Sequence, residues 1–210
     1  KAPVFKSFLY NSIISTTDND DWKEQRSFMN MAFIPKLSLQ KVFPISVERA
    51  SKCSQLLKDR SDHYSKSVNM SEFFLHETQA QLQLAMFGFS DEFQERTNKK
   101  IRDAFIGVDV GYTDQFSLEA LHETQSSKGP LSKLFDLSED ELQNKGNMLI
   151  FAFAGHDTTG LTLTWLLYEL CKYPHYKQEL IQEIDAYWLR HETPTYESFN
   201  ELPFMTQCIM

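Results

Sequence analysis

Residues Met148 to Leu170 read MLIFAFAGHDTTGLTLTWLLYEL. No run of eighteen uninterrupted apolar residues occurs in the chain, and this stretch comes nearest to one. Two ionisable side chains, His156 and Asp157, sit at its centre. An Asp at a bilayer centre costs about 2.5–3.5 kcal/mol even on the lenient insertion scale, so a helix buried in a protein core is the better reading. Apolar residues lie all round it from Met148 to Ala154, which means that several neighbours have to cover it. The sequence Ser138-Glu139-Asp140-Glu141 marks its start. Ser followed three residues later by Glu is the capping-box pattern, and the acidic first turn suits the positive end of the helix dipole. No Pro follows until Pro174, so the pattern predicts a helix over 138–173, roughly 52 Å long at 1.5 Å per residue.

Other segments read as helices around it. Asp20 to Phe33 has Asp at its start and Pro35 past its end. Ser46 to Tyr64 carries Val47, Ala50, Cys53, Leu56 and Leu57 on one face. Ser71 to Phe87 stops at Gly88, a residue suited to a C-terminal cap. Phe93 to Val110 is a weaker pattern, and Pro174 to Leu189 opens with Pro at the first helical position. Asp109 to Lys133 is polar and interrupted by Gly111, Gly129 and Pro130, and 191–203 reads as a linker. No alternating stretch predicts a strand, so the fold class expected is mainly α.

Composition agrees. The chain has 210 residues, 7 Gly and 7 Pro. That is about 7% of breakers against an average of roughly 12%, which favours long helices. Lys plus Arg is 21 and Asp plus Glu is 29, for a net charge of −8. An acidic chain without a basic cluster argues against a nucleic-acid partner. Three cysteines, Cys53, Cys171 and Cys208, with no CxxC pair exclude a disulfide scaffold and a Cys-rich zinc module. LHETQ at 75–79 and 121–125 is not a zincin motif, because Ala80 and Ser126 stand where a second His is needed. Asn69-Met70-Ser71 is a glycosylation sequon without a secretory signal to put it to use. The start at Lys1 and the stop at Met210 inside a helical pattern lead us to expect an excerpt of a longer chain.

Two places can carry chemistry. In Ala154-Gly155-His156-Asp157-Thr158-Thr159, polar side chains interrupt an apolar helix beside a Gly that costs about 1 kcal/mol against Ala. Thr158 can bond back to the carbonyl four residues earlier and loosen the helix there. Asp157 and Thr158, an acid and an alcohol side by side, suit a proton relay. They equally suit a buried polar network that fixes helix packing. In Trp22-Lys23-Glu24-Gln25-Arg26, the indole and guanidinium lie four apart on one helix face. Both are donors only, which suits an anionic ligand such as a carboxylate. A surface Trp–Arg stack is the plainer alternative.

The order WKEQR, then AGHDTT on a long acid-capped helix, then WLLYELCKYPHYKQEL, resembles the cytochrome P450 family, in particular its eukaryotic, fungal-like members. Asp21 to Phe33 looks like the C helix of that family and Ser138 to Tyr173 like its I helix. Pro174 to Leu189 looks like its J helix, and Glu201 to Met210 like the approach to its K helix. The resemblance implies the central helical part of the P450 fold, a single partial domain over 1–210, with the β-rich regions and haem-binding loop missing. It implies that Trp22 and Arg26 hold a haem propionate and that Ala154, Gly155 and Thr158 line the haem face. Asp157 and Thr158 then match the pair that delivers protons to dioxygen, and His156 is left as a packing residue. The implied parent is a haem-thiolate, iron-dependent monooxygenase oxidising a small organic substrate, with NADPH electrons supplied by a reductase. The implied location is the cytosolic face of the endoplasmic reticulum membrane, through an N-terminal anchor missing here.

Two departures qualify the match. None of the three cysteines falls in an axial-ligand motif, and no protein metal ligand is assigned. The distance from Trp22 to Ala154 is short for the family, which makes 89–137 a shortened counterpart of the F, G and H helices. The alternative to an oxygenase fragment, itself expected to be inactive alone, is an inert truncated helical scaffold with no haem.

Overall fold

The computed structural model describes residues 9–32, 35–127, 129–132, 135 and 140–209, with the side chains of 31, 32 and 35–38 left aside. Among the described residues there are helices and turns but no strand. In chain order the α-helices are α1 (Asn19–Ala32), α2 (Pro35–Arg60), α3 (Met70–Gln81), α4 (Asp91–Gly107), α5 (Val110–Ser126), α6 (Glu141–Lys172), α7 (Pro174–Trp188) and α8 (Pro203–Ile209). A π turn (Leu82–Phe87) continues α3, and a 3₁₀ turn (Glu197–Glu201) lies between α7 and α8.

The 32-residue α6 is the axis, and α3 packs against it more extensively than any other pair of elements packs. Ser138 and Glu139 lie outside the described residues. The described cap is Asp140, whose side chain accepts from Leu142 N (2.9 Å) and Gln143 N (3.1 Å). Around α6, the π turn, α4 and α5 enclose a core rich in phenylalanine. Phe87 and Phe89 stack at 5.0 Å, Phe89 meets Phe93 edge-on at 4.8 Å, and Phe116, Leu131, Met148 and Leu149 fill the remainder.

Four readings of the sequence change. The segment after Asp109 is a helix, α5, in place of a broken polar stretch. Its buried face is Thr113, Phe116, Ser117, Ala120 and Thr124. Each hydroxyl on that face donates to the carbonyl three residues back, so small polar residues do the work of apolar ones. Gly111 sits in the first turn, where it costs little, behind the Asp109 cap. Pro35 opens α2 and does not merely follow α1, and α2 carries Pro44 inside it. The start of α4 is set by Ser90, which accepts from Phe93 N, and its end by Val108 in the left-handed conformation at φ 53°. The linker over 191–203 contains the 3₁₀ turn. There Tyr187 Oη and Ser198 Oγ share a buried 2.6 Å hydrogen bond, which ties the segment to α7.

The π turn ends at Gly88, at φ 70°. The wider π spacing leaves carbonyls to be satisfied from outside. Leu131 N donates to Met86 O (2.9 Å) and Ser127 Oγ to Phe87 O (2.7 Å). The loop after α5 is thereby fastened to the end of the π turn.

Candidate functional site

One face of α6 is committed to packing. A Cβ on Gly160 would come within 3.0–3.1 Å of Leu75, including its backbone N and Cα, and one on Gly155 would meet the Leu82 side chain at 2.8–3.3 Å. The glycines therefore let α3 and its π turn come close. Between them Thr78 Oγ1 donates to His156 O at 2.8 Å, a bond between helices at the turn that carries Asp157. The His156 side chain is buried, with Nδ1 2.9 Å from Ala152 O and its ring stacked near Phe105. Burial pushes its pKa below the ordinary imidazole value, against the opposing pull of the Ala152 carbonyl and Asp157. It is a neutral packing residue at physiological pH.

The opposite face is open. Ala154, Thr158, Thr162 and Trp165 are exposed, Trp165 to 62%, and Leu161 lies beside them. Thr158 Oγ1 donates to Ala154 O at 2.9 Å, and Thr162 Oγ1 to Thr158 O at 2.8 Å. This is the back-bonding geometry that loosens a helix. Asp157 is half-buried and has no hydrogen-bond partner among the described residues. Of the residues singled out on α6, Ala154 and Thr158 share the open face, Asp157 stands at its edge, and Gly155 faces Leu82.

Trp22 and Arg26 lie one turn apart on α1, and both are exposed. Trp22 edges a groove of about 460 Å³ with Thr16, Thr17, Asp18 and Asn19. Arg26 forms no ion pair or hydrogen bond with a described residue. The side of α1 turned to α6 is made by Asp21 and Gln25. Gln143 Nε2 donates to Asp21 Oδ1 (3.2 Å), Asn147 Nδ2 to Gln25 Oε1 (3.0 Å), and Ile13 N to Asn147 Oδ1 (2.9 Å). This amide network fixes α1 on the first half of α6. Sequence inspection passed over it, although Asp21/Gln25 and Gln143/Asn147 are both polar pairs at helical spacing. Asn147 lies about 16 Å along the axis from Thr158 at 1.5 Å per residue. Among the described residues no hydrogen bond, ion pair or ring contact joins Trp22 or Arg26 to the Ala154–Thr158 turn, so the two motifs stand apart.

The cysteines are dispersed. Burial pushes the Cys53 thiol up to about 11, which keeps it protonated. Cys171 is exposed at the end of α6 and Cys208 lies on α8. Among the described residues no three His, Cys, Asp or Glu side chains gather as metal ligands. No described helix is long and apolar enough to cross a membrane.

Residues 112–210 match the family model described as Cytochrome P450. The chain is 30% identical to human cytochrome P450 4Z1 over 165 residues, covering 70% of the chain and 32% of that protein. It is 23% identical to cytochrome P450 3A12 of Canis lupus familiaris over 243 residues, covering 92% of the chain and 48% of that protein. This chain belongs to the cytochrome P450 family. Its helices are a helical central part of the P450 fold, and the family is one of monooxygenases. Leukotriene-B4 omega-hydroxylase 3 of Mus musculus is 35% identical over 77 residues, or 35% of the chain and 14% of that protein. The chain spans about a third to a half of the length of the first two relatives.

Proposed function

We propose that this chain supplies the proton-relay helix and one cofactor anchor of a haem-thiolate monooxygenase that inserts oxygen from dioxygen into a small organic substrate. The observation that carries the proposal is the open face of α6. Thr158 is back-bonded to Ala154, and beside it stands the Asp157 carboxylate with no partner among the described residues. Such a carboxylate is free to exchange protons with solvent, and an exposed hydroxyl beside it can pass them on.

The residues present fit a haem. Trp22 and Arg26 are donors on one helix face with no side-chain partner among the described residues, the chemistry that holds a propionate. The small Ala154 side chain and the exposed Thr158 give a flat ligand room along the helix. Gly155 contributes indirectly, by letting Leu82 support the helix from behind. When bound, haem supplies the redox chemistry of oxygen activation. NADPH electrons delivered by a reductase, and a position on the cytosolic face of the endoplasmic reticulum membrane, follow from the family and belong to the same proposal.

We assign 138–173 as the I-like helix and 89–137 as a shortened lid region. The alignment with the dog protein is consistent with a shorter chain overall, without locating the difference. It runs over 243 positions yet covers 92% of 210 residues, about 193, so about 50 of its positions have no residue here. We also propose that these 210 residues do not turn over by themselves. None of the three cysteines lies on the Ala154–Thr158 face, and Cys53 is held as the thiol.

The test is Thr158→Ala in a full-length protein containing this sequence. Oxygen consumption should continue while product per oxygen falls severalfold and hydrogen peroxide rises. Unchanged coupling removes Thr158 from the relay. Arg26→Leu in the same protein should weaken haem retention about tenfold, the effect of losing one charge-assisted hydrogen bond, and unchanged retention removes Arg26 as the anchor.

A further inference from the structure

Four buried side-chain polar atoms with no hydrogen-bond partner among the described residues come from one place: Gln79 Nε2 and Oε1, Gln83 Nε2 and Asn98 Oδ1. All three residues are fully buried, at 0% exposure. Gln79 lies near the end of α3, and Gln83 one turn later in the π turn. Asn98 on α4 donates Nδ2 to His76 O of α3 at 3.0 Å, and Thr97 Oγ1, next in sequence, lies 3.3 Å from Gln83 Oε1. These bonds place Asn98 and Gln83 at the junction between α3, the π turn and α4, and Gln79 stands one turn before Gln83 on the same side of the helix.

The shortfall does not depend on which way the amides are turned. Asn98 has to present Nδ2 to His76 O, because the reverse sets two acceptors face to face. Thr97 has a single hydroxyl proton and directs it to Phe93 O at 2.7 Å. It can then accept from Gln83 in the flipped orientation, but that frees Oε1 in place of Nε2. Gln79 lacks partners at both ends in either orientation. At least four open positions remain in every assignment, and buried groups of this kind are otherwise nearly always paired.

The chemistry of the open set selects the ligand. It combines amide N–H groups with carbonyl oxygens. A cation would satisfy only the oxygens and an anion only the N–H groups. Water both donates and accepts, and it makes two to four hydrogen bonds in such places. We propose that the α3–α4 junction is a built hydration site, in which ordered water bridges Gln79, Gln83 and Asn98 as part of the fold. The site reaches the central helix through the residue next to Gln79, since Thr78 holds His156 O. It also lies at the onset of the π turn, a deviation often found where a helix serves more than packing. The proposal stands independently of the haem assignment.

The test uses an isotope-labelled full-length protein containing this sequence, with folding checked by its helical circular dichroism. Side-chain NH₂ groups of Gln79 and Gln83 should show nuclear Overhauser cross-peaks to water, with the sign of slowly exchanging, bound molecules. Gln79→Met should lower Tm by about 2–4 °C, because it leaves the bridging water short of partners. Absence of the water cross-peaks from the unsubstituted chain overturns the site, and that measurement stands even if the variant fails to fold. A rise in Tm with Gln79→Met also overturns it, because a dry junction gains when two unpaired atoms are removed.

Discussion

Two glycines five residues apart on α6 should respond in opposite directions to the same substitution. Replacing a helix-interior Gly by Ala gains about 1 kcal/mol in backbone terms. At Gly155 the added Cβ meets only the far end of the Leu82 side chain, with Cδ1 at 2.8 Å and Cδ2 at 3.0 Å. Leu82 is half-buried and can turn away at small cost, so most of the gain survives. At Gly160 the Cβ meets Leu75 N and Cα at 3.1 Å as well as Cδ2 at 3.0 Å. Backbone cannot turn away, so α3 as a whole has to retreat by a few tenths of an ångström along its main interface. Overpacking of that kind costs about 1–3 kcal/mol, which outweighs the helical gain. With about 2–4 °C per kcal/mol for a chain of this size, Gly155→Ala should raise Tm by about 2 °C and Gly160→Ala should lower it by about 2–6 °C. Thermal unfolding followed by circular dichroism reads both. A Gly160→Ala protein as stable as its Gly155→Ala counterpart refutes the claim that backbone contact sets the α3–α6 distance.

Arg49 and Glu77 form a 2.6 Å ion pair with side chains only 12% and 6% exposed, clasping α2 to α3. Arg49→Met leaves the buried carboxylate with His76 alone (3.1 Å) and should cost less than the penalty of about 3–5 kcal/mol for a fully stranded charge, whereas adding Glu77→Met should recover most of that loss in urea unfolding; a double variant no better than the single one contradicts the pairing. Burial tends to raise the Glu77 pKa, but His76 and Arg49 hold it below the ordinary carboxylate value. His156 makes a second pH dependence. Its pKa is lower folded than unfolded, so the unfolded chain takes up the proton first. The His156 contribution is therefore complete above the ordinary imidazole value of 6.5 and is lost as pH falls from there toward the folded pKa. Asp157 opposes that depression and Arg102 adds to it. Tm measured from pH 7.5 to 5 should fall more steeply for the parent chain than for His156→Gln, and identical slopes remove His156 as the source.

What was legible in the sequence was whatever rests on period and punctuation. The central helix is legible from a long, mostly apolar stretch with no Pro before Pro174, and the end of α3 and its π turn from Gly88, which takes the left-handed conformation. What stayed hidden rests on polar groups satisfied out of sight. The buried face of α5 reads as surface because Thr113, Ser117 and Thr124 look hydrophilic until their hydroxyls are seen bonded to their own helix. The docking of α1 depends on Gln25 and Asn147, side chains that any solvent-exposed helix also carries. Trp22 and Arg26 were picked out by spacing, and spacing alone puts them on one face of α1. It carries no information about the rotation of α1 on α6, which the neighbouring Asp21–Gln25 pair determines.

That rotation bears on how the two faces of α6 divide their work. The glycines, His156 and Thr78 hold one face at a fixed distance from α3, which makes the helix a rigid platform at the turn where Thr158 bonds back to Ala154 on the other side. A platform held from behind keeps Asp157 and Thr158 in place without contacts on their own side. The open face also carries Leu161, Trp165 and Tyr168, each at least 39% exposed. Covering a side chain of this size is worth about 1.5–3 kcal/mol when complete. A flat apolar ligand, a substrate or further polypeptide laid along that face would gain this energy without disturbing α3. A substitution on the packed face should therefore be felt as lost stability, and one at Ala154 or Thr158 as altered binding or coupling with Tm nearly unchanged.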